Sequence, residues 1–237
     1  MLDFSLNDNP KITRLSIGYE QTPLLIIDDF ANSPQSLITL AGNGSSFTAD
    51  DDNFYPGSRK PAPEQYCQQL SALFLHQGLN KAFSNAAINQ AKTLAAALAI
   101  SDLPVDQLRP IQMLPHFDTC DNAQFAVVHY LCDQQHGGTG FYRHRNTGFE
   151  RITQPRLASY ASQLKQQALA SQLHKNPAYI NGSNALFEQI HSVDARMNRA
   201  IIYPSNLLHS GNINPASGLG SDPQQGRLTL GSFVVVR

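Results

Sequence analysis

The segment that decides the fold is Arg227-Leu228-Thr229-Leu230-Gly231-Ser232-Phe233-Val234, near the end of the chain. Its first residues alternate between polar and apolar, and this pattern predicts a β-strand with one face in the core. Arg227 and Thr229 would share one face of that strand, and Leu228 and Leu230 the other. A planar guanidinium with a hydroxyl two residues on is well suited to a carboxylate. Taken alone, an arginine at this place is more typical of an exposed residue of an edge strand.

Five further strand-like runs precede this segment, and clusters of Gly, Asn, Asp and Pro separate them. They span residues 111–118, 124–131, 140–145, 187–193 and 200–204. An Ala-, Gln- and Leu-rich segment, 156–174, interrupts them and predicts an inserted helix. Many short strands with one helical interruption indicate a closed or sandwiched β architecture, such as a jelly roll.

The first half of the chain mixes helical and strand patterns. Residues 22–29 predict a buried strand, and Ser33-Pro34 predicts the start of a helix. Residues 43–61 are rich in turn formers and predict a loop, whereas 62–77 carry a helical apolar stripe. Residues 92–100 stay open between helix and strand, because alanine favours a helix only weakly and tertiary context can override it.

Length and composition favour one globular domain. The chain has 237 residues, of which 41% are hydrophobic and 15% charged, so it can bury a substantial core. We predict a single domain over 1–237, mainly β with flanking helices (α+β). A support region of helices and strands would cover about 1–105, and the β core about 106–237, with a helical insertion at about 155–175.

Charge, cysteine content and hydropathy narrow the possible partners and compartments. The net charge is −1 and no run of Lys or Arg is present, so we expect no nucleic-acid partner. Three cysteines, Cys67, Cys120 and Cys132, are odd in number and lack C-x-x-C spacing, which favours a reducing compartment over a disulfide framework. The first apolar run, 24–27, is far too short for a signal sequence or a membrane span. We therefore expect a soluble cytoplasmic protein with no membrane partner.

Three side chains form a candidate metal site. His116-Phe117-Asp118 falls in the predicted strand 111–118, where residues two apart face the same side and can reach one metal. His209 follows the apolar run 200–204 and a polar turn, at a place typical of an exposed or cleft position. Taken alone, a surface or hydrogen-bonded histidine is the alternative interpretation. Two imidazoles and one carboxylate are the ligand set of the non-haem Fe(II) facial triad, which leaves positions open for chemistry.

Other groupings of reactive residues compete with this one. His129, His136 and His144 cluster in sequence, but their spacing does not match that of structural zinc motifs. Cys120 lies two residues after Asp118, yet no paired base for a nucleophile is evident. The short basic run Arg143-His144-Arg145 could contact an acidic substrate, although a solvated strand end is the simpler interpretation.

The order His116-x-Asp118, His209, Arg227 resembles that of the Fe(II)/2-oxoglutarate-dependent dioxygenases. Within this superfamily it is similar to the prolyl-hydroxylase-like branch. Members of that branch have a Tyr-Leu strand end, a Gly-Gly turn and an aromatic strand between the two metal-binding motifs. The matching residues here are Tyr130-Leu131 and Gly137-Gly138-Thr139-Gly140-Phe141-Tyr142, with a leading strand Ile26-Ile27-Asp28-Asp29-Phe30.

The resemblance implies a double-stranded β-helix (jelly roll, cupin-like) core and a role for each matching residue. His116, Asp118 and His209 would ligate Fe(II) and form the catalytic centre. Arg227 would bind the distal carboxylate of 2-oxoglutarate, with Thr229 as a secondary contact and Tyr130 as a further candidate. Oxidative decarboxylation of 2-oxoglutarate with O₂ would be coupled to oxidation, as a hydroxylase, of a small-molecule or peptide substrate.

Two other functions are also compatible with the sequence. A jelly-roll frame can serve as a non-catalytic binding protein, because fold alone does not determine function. A cupin-like metalloenzyme could also use the same three ligands without 2-oxoglutarate. The sequence identifies neither the substrate nor the oligomeric state.

Overall fold

The computed structural model describes residues 1–49, 55–75, 83 and 88–237. The ten strands among them are β1 Lys11–Ile17, β2 Thr22–Asp28, β3 Ser58–Pro61, β4 Ala91–Ile100, β5 Gln124–Tyr130, β6 Thr139–His144, β7 Phe187–Val193, β8 Arg199–Pro204, β9 His209–Gly211 and β10 Leu228–Val236. The three α-helices described are α1 Pro34–Gly42, α2 Glu64–Leu75 and α3 Gln154–Ala170.

The strands form two antiparallel sheets. The larger sheet has seven strands in the order β1-β2-β8-β5-β10-β4-β3, and the smaller has three in the order β7-β6-β9. The larger sheet therefore takes strands from both halves of the chain. Its order places β10 between β5 and β4, so the segment that begins at Arg227 leads into a central strand rather than an edge strand.

Each face of the larger sheet buries a different apolar cluster. On one face, α1 and α2 pack against the sheet through residues such as Leu37 and Tyr66, which meet Leu98 and Leu230. On the other face, Phe141 of the smaller sheet joins a second cluster with residues of β5 and β8. Helix α3 packs on a third cluster beside the smaller sheet through Tyr160. The core is thus a β sandwich with helices on its outer side.

Most of the predicted elements are confirmed with small changes in their bounds. The runs at 22–29, 124–131, 140–145, 187–193 and 200–204 correspond to β2, β5, β6, β7 and β8. The predicted helices begin at Pro34, Glu64 and Gln154, and the described part of α2 ends at Leu75. The division into a support region and a core stays a prediction.

The predicted strand at 111–118 is wrong. Residues Pro110–Met113 form a 3₁₀ turn, and only His116 makes a strand-like bridge, to His209. Two prolines explain the interruption, because Pro110 and Pro115 lack the backbone N–H groups that a sheet ladder requires. The candidate ligands therefore lie on an irregular segment, not on one strand face.

Two further segments of the first half contain strands that the sequence pattern alone does not predict. The predicted loop 43–61 ends in strand β3, which pairs with β4; residues 50–54 lie outside the described part. The open segment 92–100 is strand, because β10 and β3 pair with it on both sides. Within the described part of the chain, no helix has the length and apolar character needed to cross a membrane.

Candidate functional site

His116 and His209 are held together by their own backbones. His116 N donates to the His209 carbonyl at 2.9 Å, and His209 N donates to the His116 carbonyl at 2.8 Å. Their rings lie side by side, with centroids 4.3 Å apart. Asp118 is anchored separately, because its backbone N donates to the Ser205 carbonyl at 2.8 Å. His116 and Asp118 are thus both held by backbone hydrogen bonds to the segment that carries His209.

The three candidate ligands converge on one point. Their ligand atoms all lie within 4.8 Å of one another. Asp118 Oδ1 is 3.8 Å from Nε2 of His116, and its Oδ2 is 3.9 Å from Nε2 of His209. His209 Nδ1 is 2.8 Å from the Leu207 carbonyl, so Nδ1 carries the proton and Nε2 keeps its lone pair facing the carboxylate.

The surroundings of these three groups keep them in the protonation states that metal binding requires at neutral pH. Burial lowers the pKa of His209 to about 4. Burial of the inner side of the His116 ring lowers its pKa as well, and the neighbouring His209 lowers it further. The outer half of the His116 side chain is exposed. Burial raises the pKa of Asp118 to about 6, which outweighs the opposing effects of His116 and Arg59. Above pH 6 the site therefore offers two neutral imidazoles and one carboxylate.

The donor set fits a divalent transition metal. Asp118 Oδ2 is buried and has no hydrogen-bond partner among the described residues. An ionised oxygen without a partner is costly to bury, and a cation between it and the two Nε2 atoms would remove that cost. Two imidazoles and a carboxylate with an open side match the facial-triad arrangement.

A cavity of about 960 Å³ opens beside the triad. This volume is at the upper end of the range for small-molecule sites. The larger sheet contributes a wall with small side chains at alternate positions of β4, namely Ala95, Ala97 and Ala99. Short side chains there leave room that larger residues would fill.

Arg227 and Thr229 line the same cavity as the triad. Arg227 is only 4% exposed, so the alternative of a solvated edge-strand arginine is wrong. Its Nη2 donates to the Gly138 carbonyl at 3.0 Å, whereas its Nε is buried and lacks a partner in the described structure. None of the described carboxylates pairs with it. A buried guanidinium with an unsatisfied N–H is suited to an incoming anion.

Tyr130 lies deeper than Arg227 and Thr229. It is fully buried, and its hydroxyl is 2.6 Å from the Thr139 hydroxyl. Thr139 lines the cavity. The structure thus places Tyr130 behind Thr139, and its role toward 2-oxoglutarate stays a prediction.

Three residues that line the cavity, Tyr203, Tyr160 and Arg59, were not predicted from the sequence. Tyr203 packs edge-on against His209 with ring centroids 4.8 Å apart, and Tyr160 enters from α3. The apolar spacing Tyr160 to Leu164 on the predicted helix could have suggested an inward face. Arg59 on β3 had no such signal, because the segment around it predicted a loop.

The competing groupings do not form sites in the structure. His129, His136 and His144 each bond to partners of their own. These are Tyr66 and Asn198 for the first, Asp133 and Gln225 for the second, and Thr147 and Gln167 for the third.

Cys120 and the basic run Arg143-His144-Arg145 are the other two competing groupings. Burial raises the pKa of the Cys120 thiol, which disfavours the nucleophilic thiolate. Arg143 is buried and pairs with Glu150 and Glu188, so the simpler interpretation of a solvated strand end is wrong for this residue. All three cysteines are free.

Comparison with known proteins places the chain in a family. A family model described as "Family of unknown function (DUF6445)" matches residues 8–234. The chain belongs to this family. A comparison with curated protein sequences finds no match.

Solved structures resemble this DUF6445 member at low sequence identity. HygX from Streptomyces hygroscopicus, with nickel and 2-oxoglutarate bound, is 14% identical with a TM-score of 0.50, over 92% of this chain and 84% of that one. HygX with iron bound gives 11% identity and a TM-score of 0.46, over 92% and 83% of the two chains. EvdMO1 is 13% identical with a TM-score of 0.42, over 95% of this chain and 55% of that one. The first likeness confirms the expected mainly β, jelly-roll fold with flanking helices.

Proposed function

We propose that the protein is a non-haem Fe(II)/2-oxoglutarate-dependent dioxygenase that acts as a hydroxylase. The observation that carries this proposal is the meeting of His116, Asp118 and His209 in one cavity with the buried Arg227. The shared fold supports it, since HygX was crystallised with nickel and 2-oxoglutarate bound. Membership of the prolyl-hydroxylase-like branch and a cytoplasmic location are part of the same proposal.

The triad would hold Fe(II) through Nε2 of His209, an imidazole nitrogen of His116 and the carboxylate of Asp118. When bound, the metal and 2-oxoglutarate would supply the oxidising chemistry, in which O₂ oxidises the co-substrate to succinate and CO₂ and the substrate to its hydroxylated product. The Leu207 carbonyl holds the His209 ring in the tautomer that this role requires. The low pKa of His209, caused by burial, keeps a proton from competing for its lone pair.

Arg227 would bind the distal carboxylate of 2-oxoglutarate, with the Thr229 hydroxyl as a second donor. The Gly138 carbonyl accepts one N–H of Arg227 and so fixes the orientation of the guanidinium. Nε remains for the anion. Because the residue is buried, a charge-assisted pair there would be stronger than one in water.

One observation favours a second candidate, a cupin-like metalloenzyme without 2-oxoglutarate. The bond from Arg227 to Gly138 joins the two sheets, so the arginine could serve the structure alone. A non-catalytic scaffold fits less well, because it would not require three ligand atoms within 4.8 Å of one another.

Anaerobic titration of the protein with Fe(II) and 2-oxoglutarate tests the proposal. We expect a visible metal-to-ligand charge-transfer band, which His116→Ala and Asp118→Ala abolish while far-UV circular dichroism stays unchanged. His174→Ala, which alters an exposed histidine outside the cavity, is the matched control and keeps the band. A folded, iron-loaded protein without the band would contradict 2-oxoglutarate binding. Iron loading alone, with activity independent of Arg227, would favour the second candidate.

A further inference from the structure

A second arginine, Arg59, faces the cavity from strand β3. Arg59 pairs with Ala99 of β4 on one side, and on the other it exchanges backbone hydrogen bonds of 2.9 Å with Thr48. The next residue, Lys60, is buried on the opposite side, where its Nζ donates to the Leu40 carbonyl near the end of α1 at 2.7 Å. Because side chains alternate along a strand, the anchored Lys60 directs Arg59 into the cavity, which it lines.

The guanidinium of Arg59 is positioned by an aromatic ring and pairs with no carboxylate among the described residues. Its Cζ lies 4.8 Å from the centroid of the Tyr55 ring, a cation–π contact that restricts its motion. No ion pair joins it to any carboxylate in the described ranges. Arg59 lines the same cavity as His116, Asp118 and His209. A held cation therefore lies in the cavity of the triad.

Arg59 occupies a different part of the cavity from Arg227 and Thr229. Across the larger sheet, Arg59 lies opposite Ala99, which in turn lies opposite Thr229. Two strand spacings thus separate Arg59 from Thr229, or about 10 Å. The two arginines can therefore serve two separate anionic groups, one on each side of the small Ala99 side chain.

The cavity also offers an apolar surface with one unsatisfied hydroxyl. Tyr160 of α3 is 3% exposed, and its hydroxyl is buried without a partner among the described residues. Its ring meets Phe117 edge-on, with centroids 6.0 Å apart, and Leu164 lines the cavity beside it. A ligand there would pack an apolar body on these rings and complete one hydrogen bond.

We propose that the substrate is a small organic acid with an apolar body, whose anionic group binds Arg59 and whose body packs against Phe117 and Tyr160. This inference rests on the proposed function of the cavity. In this proposal Arg59 binds the substrate, and Arg227 binds the co-substrate 2-oxoglutarate. A carboxylate and a phosphonate would both match the planar fork of the guanidinium.

The test uses three probes that share one apolar body, namely 4-phenylbutyrate, its uncharged amide and 3-phenylpropylphosphonate. Each is titrated calorimetrically into the protein loaded anaerobically with Fe(II) and 2-oxoglutarate, and in parallel into the metal-free protein. The variants are Arg59→Gln, Arg59→Lys and Tyr160→Phe. Arg196→Gln, which changes a 68% exposed arginine outside the cavity, is the matched control.

We expect wild type and Arg196→Gln to bind at least one anionic probe about 10- to 100-fold more tightly than the amide, as one charge-assisted pair predicts. Arg59→Gln should abolish that preference, Arg59→Lys should retain part of it, and Tyr160→Phe should weaken all three probes alike. Tighter binding of the carboxylate or of the phosphonate distinguishes the two anion classes. Equal binding of acid and amide by wild type, no binding of any probe, or a preference that survives in Arg59→Gln would overturn the inference.

The proposed function and this inference can fail separately. Loss of the charge-transfer band with an Arg59-dependent preference intact in the metal-free protein would contradict the proposed function but leave the anion site. A normal band in wild type and Arg59→Gln, with no acid preference in either, would refute the anion site alone.

Discussion

Arg227 donates a 3.0 Å hydrogen bond from Nη2 to the backbone carbonyl of Gly138, and this bond joins the two sheets at the cavity. Arg227 directly precedes β10 of the larger sheet, and Gly138 directly precedes β6 of the smaller one. Gly138 approaches the end of β7 so closely that a Cβ would lie 1.9 Å from the Val193 carbonyl oxygen. The position of the arginine thus depends on a glycine that has no room for a side chain.

Gly138→Ala should therefore lower the free energy of unfolding by about 2 to 4 kcal/mol, because backbone must move to admit the methyl group. It should also weaken 2-oxoglutarate binding by displacing the carbonyl that orients Arg227. Urea denaturation and calorimetry measure the two effects. Gly220→Ala is the control, since a Cβ there meets nothing within 4 Å. Equal stability of the two variants would refute the packing argument.

Arg227→Met should raise the Kd of 2-oxoglutarate about 10- to 100-fold, because it removes a charge-assisted pair with the distal carboxylate. Metal affinity should change little, since Arg227 is not one of the three clustered ligands. Calorimetry with Mn(II) and then with 2-oxoglutarate separates these effects. If the variant bound 2-oxoglutarate as wild type does, Arg227 would have a structural role only.

Asp118→Asn should abolish tight metal binding and yet stabilise the metal-free protein at pH 7.5. Burial raises the pKa of Asp118 to about 6 from 3.8, so the ionised form is disfavoured in the folded state. A difference of this size corresponds to at most about 3 kcal/mol, and the amide would recover part of it. Urea denaturation with a chelator present measures the change. A destabilised variant would show that the carboxylate has a favourable partner in the folded protein.

His129 should make folding stability depend on pH. Burial lowers the pKa of its imidazole to about 4, whereas an unfolded histidine titrates near 6.5. Between these values the unfolded chain binds more protons, so stability is fully present above pH 6.5 and falls as pH decreases toward 4. This group contributes at most about 3 kcal/mol to that loss.

The measurement is urea denaturation of the metal-free protein from pH 4.5 to 7.5, with wild type and His129→Leu compared. Other titrating groups, including His116 and His209, affect both proteins, so only the difference between the two profiles reports on His129. We expect wild type to lose more stability than the variant as pH falls. Parallel profiles would mean that His129 is not buried in its neutral form.

The sequence by itself determined the mainly β fold, because the alternation of β10 and the turn formers between strands leave few other ways to bury the apolar faces. It also predicted which three side chains could ligate a metal. Their identity and order were visible, but the predicted reason for their convergence, one strand face, was wrong.

Only the tertiary structure decided how the site is assembled. His116 and Asp118 reach one point because their backbones dock on His209 and Ser205, which lie far along the chain. The alanines of β4 form a strand because neighbouring strands supply its hydrogen bonds on both sides, and helix propensity is weaker than that. Arg59 gave no local signal, since only sheet pairing and the anchored Lys60 direct it into the cavity. Local pattern thus determined the strands and the ligand types, whereas contacts between distant segments determined the cavity and the place of Arg59 in it.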